Sequence, residues 1–213
     1  LRYLLNRLMK IDFMLLAIVV TITTIGFIAL FSAGYSFPWR IDGQIRNIAV
    51  ASVVMVVVAC LPVKLFQRTA LPIFIVGCVL LLLTHFFGIT VKGATRWLNI
   101  GIRIQPSELM KLALPLMLAW YYQKRSENIG PWDHAFALAL LIIPVALILK
   151  QPDLGTSILV SIAGISVIFF AGLSKRILIG AFCTLFASLP IIWNFLHDYQ
   201  RERILTLLDP TSD

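Results

Sequence analysis

The sequence predicts an all-α, polytopic integral membrane protein with about seven transmembrane helices. Of its 213 residues, 60% are hydrophobic and only 13% are charged, whereas about a quarter of the residues in a soluble domain are charged. Its six uncharged stretches are 16 to 27 residues long, and a membrane-spanning helix needs about 20 residues. A closed membrane barrel would instead show short segments of alternating hydrophobicity. The composition therefore excludes soluble, disordered and collagen-like chains and favours membrane helices.

Charged residues mark the ends of the predicted spans. In chain order, uncharged stretches lie between Asp12 and Arg40, Arg46 and Lys64, Arg68 and Lys92, Asp133 and Lys150, Asp153 and Lys175, and Arg176 and Asp198. The fourth span begins at Pro106, which suits the first turn of a helix, and is apolar except for Glu108 and Lys111. We predict one membrane domain over residues 1–213. Its approximate spans are 13–34, 46–62, 70–89, 106–122, 134–149, 154–173 and 177–196.

The basic residues predict a cytoplasmic N-terminus. Arg2, Arg7 and Lys10 precede the first span, with Asp12 as the only acid among them. Over the whole chain the preference is weak, with nine basic residues in inside segments against eight in outside segments. Either the topology is inverted, or the outer face binds something anionic. The net charge of +8 is explained by basic residues that meet lipid head groups, so we predict membrane lipids and no nucleic acid as partners.

The segment 92–111 concentrates polar residues on the predicted outer side and contains four cations and one acid. Glu108 and Lys111 are three positions apart, so they share a helix face and can pair. A charge pair at the membrane edge is costly and typically faces a polar cavity. Arg96 and Arg103 offer planar forks for phosphate oxygens, and Lys92 offers a point charge. The alternative is a solvated basic loop with a helix-capping Glu108–Lys111 pair.

A second motif, 150–157, joins spans 5 and 6 through a short outward turn. Asp153 stands where the next helix begins, so its carboxylate can cap that helix. Two other roles stay open: Asp153 as the partner of a cation in 92–111, or Asp153 as a metal ligand. Successive hairpins place both motifs on the same side of the membrane. The histidines have no spacing typical of a metal site, so no metal centre is predicted.

Four segments in order resemble the SEDS family (shape, elongation, division and sporulation), and its rod-shape branch more than its division branch. They are Lys92–Trp97, Gln105–Glu108 with Lys111, Gln151–Ser157, and His197–Arg203 followed by Leu208–Pro210. The resemblance implies a peptidoglycan glycosyltransferase of the bacterial inner membrane that polymerises lipid II during cell-wall elongation. It also implies about ten spans, a class B penicillin-binding protein transpeptidase as partner, and other proteins of the elongation complex.

The resemblance also implies roles for individual residues. The substrate-binding candidates are Lys92, Arg96, Trp97, Arg103, Gln105 and Ser107, with Glu108, Lys111 and Asp153 in supporting roles. The family's proposed catalytic aspartate lies beyond Asp213, so we expect the chain to be an N-terminal part that is inactive alone. The diphosphate of lipid II needs fixed cations or a divalent ion such as Mg²⁺ when it leaves.

Two other functions remain compatible with the sequence. A flippase that moves lipid II across the membrane would use the same anionic substrate without polymerising it. A scaffold of the cell-wall synthase would tolerate alanine throughout the charged cluster, because only its helix surfaces would matter.

Overall fold

The structure is a computed structural model, which describes residues 12–34, 38–91, 94–99, 101, 103–125, 129–195, 201 and 205. These residues form seven helices and three short strands. In chain order they are α1 (Phe13–Gly34), α2 (Pro38–Cys60), α3 (Val63–Phe87), β1 (Ile89–Val91), β2 (Ala94–Asn99), β3 (Arg103–Ile104), α4 (Pro106–Lys124), α5 (Pro131–Lys150), α6 (Leu154–Phe170) and α7 (Lys175–Phe195).

The helices confirm the predicted class of a multi-pass helical membrane protein. Within the described residues, segments of α1, α2, α3 and α5 are long and apolar enough to cross a bilayer, and α6 is a shorter apolar helix. Contacts divide the chain into two compact units, 1–65 and 66–213. The single membrane domain over 1–213 stays a prediction. The last resembling segment, 197–210, lies outside the described residues apart from 201 and 205.

The first unit contains the helical hairpin α1–α2. Asp12 precedes α1, and its carboxylate accepts hydrogen bonds from the backbone N–H groups of Met14 (2.9 Å) and Leu15 (3.2 Å). This satisfies donors that have no partner within the helix. None of the most apolar stretch of α1 is buried by protein, and large side chains such as Phe13 and Ile22 are exposed. Such a surface is stable in hydrocarbon rather than in water, which agrees with a membrane span.

The second unit is built around α4. Its buried residues include Met110, Ala113, Leu114, Met117 and Leu118, which recur at spacings of three and four and so share one face. This face packs against α5 and α6, and buried residues of α3, α5 and α6 complete the core. The predicted fourth span is therefore the most enclosed helix of the unit, although it carries charges at its first turn.

Gly164 lets α6 approach its neighbours closely. A Cβ atom at this position would collide with Leu141 of α5 and come within 3.2 Å of Leu114 of α4. Small residues at such positions allow helices in membranes to pack closely.

The three strands form a small antiparallel sheet that the sequence analysis did not predict. In its order β1–β2–β3, Thr90 pairs with Thr95 and Asn99 pairs with Arg103. Gly101 has φ +89° in the turn between β2 and β3, a conformation that favours glycine. The sheet therefore gives the segment around Arg96 a fixed backbone in place of the solvated loop considered as the alternative.

Candidate substrate site

Asp153 lies at the turn between α5 and α6 and is 4% exposed. It is the N-cap residue of α6, where its Oδ1 accepts a 3.4 Å hydrogen bond from the backbone N–H of Thr156. The predicted capping role is confirmed. The other carboxylate oxygen, Oδ2, faces the strand that carries Arg96.

Arg96 projects from β2 onto this turn. Its Nε lies 3.7 Å from Asp153 Oδ2, and its Nη2 donates a 2.9 Å hydrogen bond to the carbonyl of Pro152. The Arg96 side chain is 20% exposed and the Asp153 side chain 6%, so the ion pair is largely shielded from water. The two sequence motifs therefore meet, as predicted, and the predicted cation partner of Asp153 is Arg96.

Gln105 brings the start of α4 to the same place. Its Nε2 lies 3.1 Å from Asp153 Oδ2 and 3.0 Å from Ser107 Oγ, and Ser107 itself is buried. Gln105 is the N-cap residue of α4, and Pro106 follows in the first helical turn, where its missing N–H costs nothing. We name Arg96, Gln105, Ser107, Pro152 and Asp153 the Asp153 cluster.

Gln151 attaches the α5–α6 turn to α3. Its side chain is 2% exposed, and its Nε2 donates a 2.9 Å hydrogen bond to the backbone carbonyl of Leu81. No pattern in the sequence predicted this contact. From the sequence, a glutamine beside Lys150 and Pro152 could equally face water or be buried. Only the packing of α3 against the turn decides that it is buried.

Glu108 and Lys111 form the predicted pair on α4, with 2.7 Å between Oε2 and Nζ. The Glu108 side chain is 56% exposed and the Lys111 side chain 32%. The pair follows Ser107 in the first two turns of α4 and is the more accessible charged feature at this end of the helix. A negatively charged ligand could reach Lys111 without displacing core side chains.

Two of the remaining predicted binding residues lie on the sheet. Trp97 is half-buried on β2, opposite Ile89 of β1, and Arg103 is exposed on β3. Lys92 lies outside the described residues. The structure thus unites Arg96, Gln105, Ser107 and Asp153 in one bonded cluster and leaves Arg103 facing the surroundings.

The described carboxylates do not form a divalent cation site. In the described part of the chain, no three His, Cys, Asp or Glu side chains converge to hold a metal. Asp153, the candidate ligand, already meets a guanidinium, an amide and a backbone N–H. A Mg²⁺ ion at this carboxylate would repel Arg96, so we derive no chemical step through a metal.

Comparison with known sequences relates the chain to membrane proteins of cell-wall synthesis. The sequence model of the FtsW, RodA and SpoVE family, described as "Cell cycle protein", matches residues 5–213. The peptidoglycan glycosyltransferase MrdB of Escherichia coli K12 is 39% identical over 205 residues, which are 95% of this chain and 55% of that protein. A probable peptidoglycan glycosyltransferase FtsW of Geobacter metallireducens is 32% identical over an alignment of 228 positions, which covers 98% of this chain and 59% of that protein.

Two solved structures share the fold. One comes from work on how a peptidoglycan synthase complex coordinates polymerization and crosslinking. It has a TM-score of 0.77 and 32% identity, and the match covers 95% of this chain and 60% of that chain. The rod shape determining protein RodA of Thermus thermophilus has a TM-score of 0.72 and 30% identity, covering 83% of this chain and 59% of its own. The chain therefore spans a little over half the length of these relatives.

Proposed function

Because the chain belongs to the FtsW, RodA and SpoVE family of cell cycle proteins, we propose that it is part of a peptidoglycan glycosyltransferase that polymerises lipid II for cell-wall elongation. Support comes from the names of its relatives, MrdB and FtsW, which are described as peptidoglycan glycosyltransferases. The single structural observation that carries the proposal is the convergence of Arg96, Gln105 and Asp153 beside the Glu108–Lys111 helix turn.

The proposed substrate explains why cations are needed here. When a glycan chain is transferred from lipid II, the diphosphate leaves and gains negative charge, which fixed cations stabilise. Lys111 is the best candidate among the described residues, since Glu108 orients its ammonium group and one third of its side chain remains exposed. Arg103 is exposed on β3 and can supply a planar guanidinium to the same anion.

Arg96 and Asp153 have a positioning role in this proposal. The guanidinium of Arg96 already contacts Asp153 and the Pro152 carbonyl, so it holds β2 against the start of α6. The two carboxylates of the site already have partners. That of Asp153 contacts Arg96 and Gln105, and that of Glu108 contacts Lys111. We therefore assign to neither the general base that removes the proton of the attacking sugar hydroxyl.

The membrane orientation follows from the same proposal. We place the N-terminus in the cytoplasm and the Asp153 cluster near the outer surface of the bacterial inner membrane, where glycan strands are built. The excess of Arg and Lys before the first span supports this orientation. Cysteines introduced at Arg103 and at Lys175 test it, because only the first would react with an impermeant thiol reagent added outside cells.

We further propose a class B penicillin-binding protein transpeptidase, within the elongation complex, as partner. Support comes from the solved relative studied in a synthase complex that coordinates polymerization and crosslinking. Co-purification of the complete protein with such a transpeptidase would support the proposal, and its absence in a detergent that preserves the complex would contradict it.

The function is tested by polymerisation of purified lipid II with the complete protein that contains this chain. We expect Lys111→Ala to reduce glycan synthesis at least about 100-fold, the usual effect of losing one group that stabilises transition-state charge. Lys150→Ala is the matched control, since Lys150 is an exposed lysine at the end of α5 and makes no part of the proposed site.

Three outcomes separate the candidate functions. Normal glycan length with Lys111→Ala would contradict the site assignment. Movement of lipid II across vesicles without polymer would favour a flippase. Wild-type cell shape with alanine at Arg96, Arg103 and Lys111 together would favour a scaffold.

A further inference from the structure

A polar groove lies at the end of α4 that is opposite to the Asp153 cluster. It has a volume of about 370 Å³ and is lined by Tyr121, Arg125, Trp132, Asp133 and Phe136. We name it the α4–α5 groove. The 19 residues of α4 rise about 1.5 Å each, so the helix is about 28 Å long. That length is close to the hydrocarbon thickness of a bilayer, so cluster and groove lie near opposite membrane surfaces.

Asp133 fixes the polar floor of the groove. Its Oδ1 accepts a 2.8 Å hydrogen bond from Tyr121 Oη, and its Oδ2 accepts a 2.9 Å bond from the backbone N–H of Gly130. Arg125 Nε lies 3.5 Å from Asp133 Oδ1. The Asp133 side chain is 13% exposed, so it holds its neighbours in place and is itself poorly accessible to a ligand.

Arg125 is the accessible cation of the groove. Its side chain is 61% exposed, although one edge of the guanidinium is directed at Asp133. A guanidinium held at one edge presents its other N–H groups in a fixed plane, which suits two oxygens of a phosphate. Of the two charged side chains that line the groove, Asp133 is nearly buried and Arg125 is largely exposed, so the charge presented to a ligand is positive. The groove therefore favours an anion.

Aromatic side chains form the other wall. The Trp132 side chain is 87% exposed at the first turn of α5, and Phe136, one turn further along, is 50% exposed. The Phe136 ring packs at 5.0 Å from the ring of Tyr121. An exposed indole at the end of a membrane helix prefers the head-group region, where its apolar ring and its N–H are both satisfied. The groove thus combines an apolar wall with a cation at the depth of lipid phosphates.

We propose that the α4–α5 groove binds the phosphodiester head group of an anionic phospholipid. Arg125 would contact the phosphate oxygens, the indole N–H of Trp132 would donate to the same head group, and Phe136 would lie against the upper part of an acyl chain. This site is separate from the proposed lipid II site, because α4 spans the distance between them. It does not depend on the proposed enzyme activity.

Native mass spectrometry of the protein in detergent tests the site, with phosphatidylglycerol and phosphatidylcholine of identical acyl chains as probes. We expect phosphatidylglycerol to bind more tightly than phosphatidylcholine, and Arg125→Gln to weaken phosphatidylglycerol about fivefold, the effect of one cation at an anionic lipid surface. Trp132→Leu should also weaken it, and should fold normally because this side chain contributes little to the core. Circular dichroism verifies the fold of each variant.

Arg176→Gln is the matched control, since Arg176 is an exposed arginine in the first turn of α7, outside the groove. An equal loss with Arg176→Gln would mean a diffuse charge effect and would overturn the proposal. Equal affinity of the wild type for both lipids would overturn it as well. Displacement of phosphatidylglycerol by excess inorganic phosphate would identify a free-anion site instead of a lipid site, whereas retention supports the lipid head group.

Discussion

The Arg96 guanidinium lies 3.7 Å from the Asp153 carboxylate and thereby joins the sheet to the first turn of α6. The same carboxylate caps α6 and contacts Gln105 at the start of α4. One side chain consequently connects β2, α4 and α6. The cap and the ion pair were alternatives in the sequence analysis, and the structure contains both.

Substitutions at Asp153 separate these two contributions. Asp153→Ser keeps a good N-cap oxygen but leaves Arg96 without its carboxylate, so we expect a loss of about 1–3 kcal/mol in the free energy of unfolding. Asp153→Ala also removes the cap and should lose about 1 kcal/mol more. Equilibrium unfolding in mixed micelles measures both. A serine variant as stable as the wild type would mean that capping is the whole contribution.

The main helices could be predicted from the sequence because charge and hydropathy show where an apolar span begins and ends. Residues that cannot enter hydrocarbon mark the ends of spans, so Asp12 and Lys150 stand close to helix ends in the structure as well. The pairing of Glu108 with Lys111 was also predictable, because the spacing of three on a helix determines their proximity.

The sheet and the attachment of Gln151 could not be derived in the same way. The strands β1 and β2 are short and lie beside long apolar runs, so the signal of alternating residues was weak. The Gln151–Leu81 hydrogen bond depends on how α3 packs, which no local pattern encodes.

Arginine should not be replaceable by lysine at position 96. Arg96 uses Nε toward Asp153 and Nη2 toward the Pro152 carbonyl, and a single ammonium group cannot reproduce both directions. We expect Arg96→Lys to lower the free energy of unfolding by about 1 kcal/mol, the value of one hydrogen bond. Arg103→Lys is the control, because Arg103 is exposed on β3. Thermal unfolding compares them, and equal midpoints for Arg96→Lys and the wild type would refute a directional role.

The Glu108–Lys111 pair should matter for activity far more than for stability. Both side chains are substantially exposed, and such pairs on a helix contribute about 0.2–0.5 kcal/mol. We therefore expect Lys111→Ala and Glu108→Gln to unfold within about 0.5 kcal/mol of the wild type. In the complete protein, Lys111→Ala should nevertheless lose lipid II polymerisation. A variant that is both inactive and strongly destabilised would indicate a structural role for Lys111.

Removal of the Gln151 amide should loosen the contact between α3 and the α5–α6 turn. Gln151→Leu has similar volume but removes this buried donor from the Leu81 carbonyl, which keeps its helical bond in α3, so the expected cost is about 0.5–1.5 kcal/mol. Hydrogen exchange monitored by mass spectrometry should show faster exchange of the Asp153 turn in this variant. Unchanged exchange there, together with unchanged stability, would show that the bond makes no net contribution.

Gly164 should be intolerant of even one added methyl group. A Cβ atom there would collide with the end of the Leu141 side chain and crowd that of Leu114, so these buried side chains would have to shift within a packed core. We expect Gly164→Ala to lower the free energy of unfolding by about 1–3 kcal/mol, which is typical of an overpacked core. Gly180→Ala in α7 is the matched control, since among the described residues no neighbouring atom lies within 4 Å of its added Cβ, and alanine favours a helix by up to about 1 kcal/mol. Unfolding in mixed micelles compares the two glycines. A Gly164→Ala protein as stable as Gly180→Ala would show that Leu141 and Leu114 can make room for a methyl group without cost, and that the close contact at Gly164 does not stabilise the second unit.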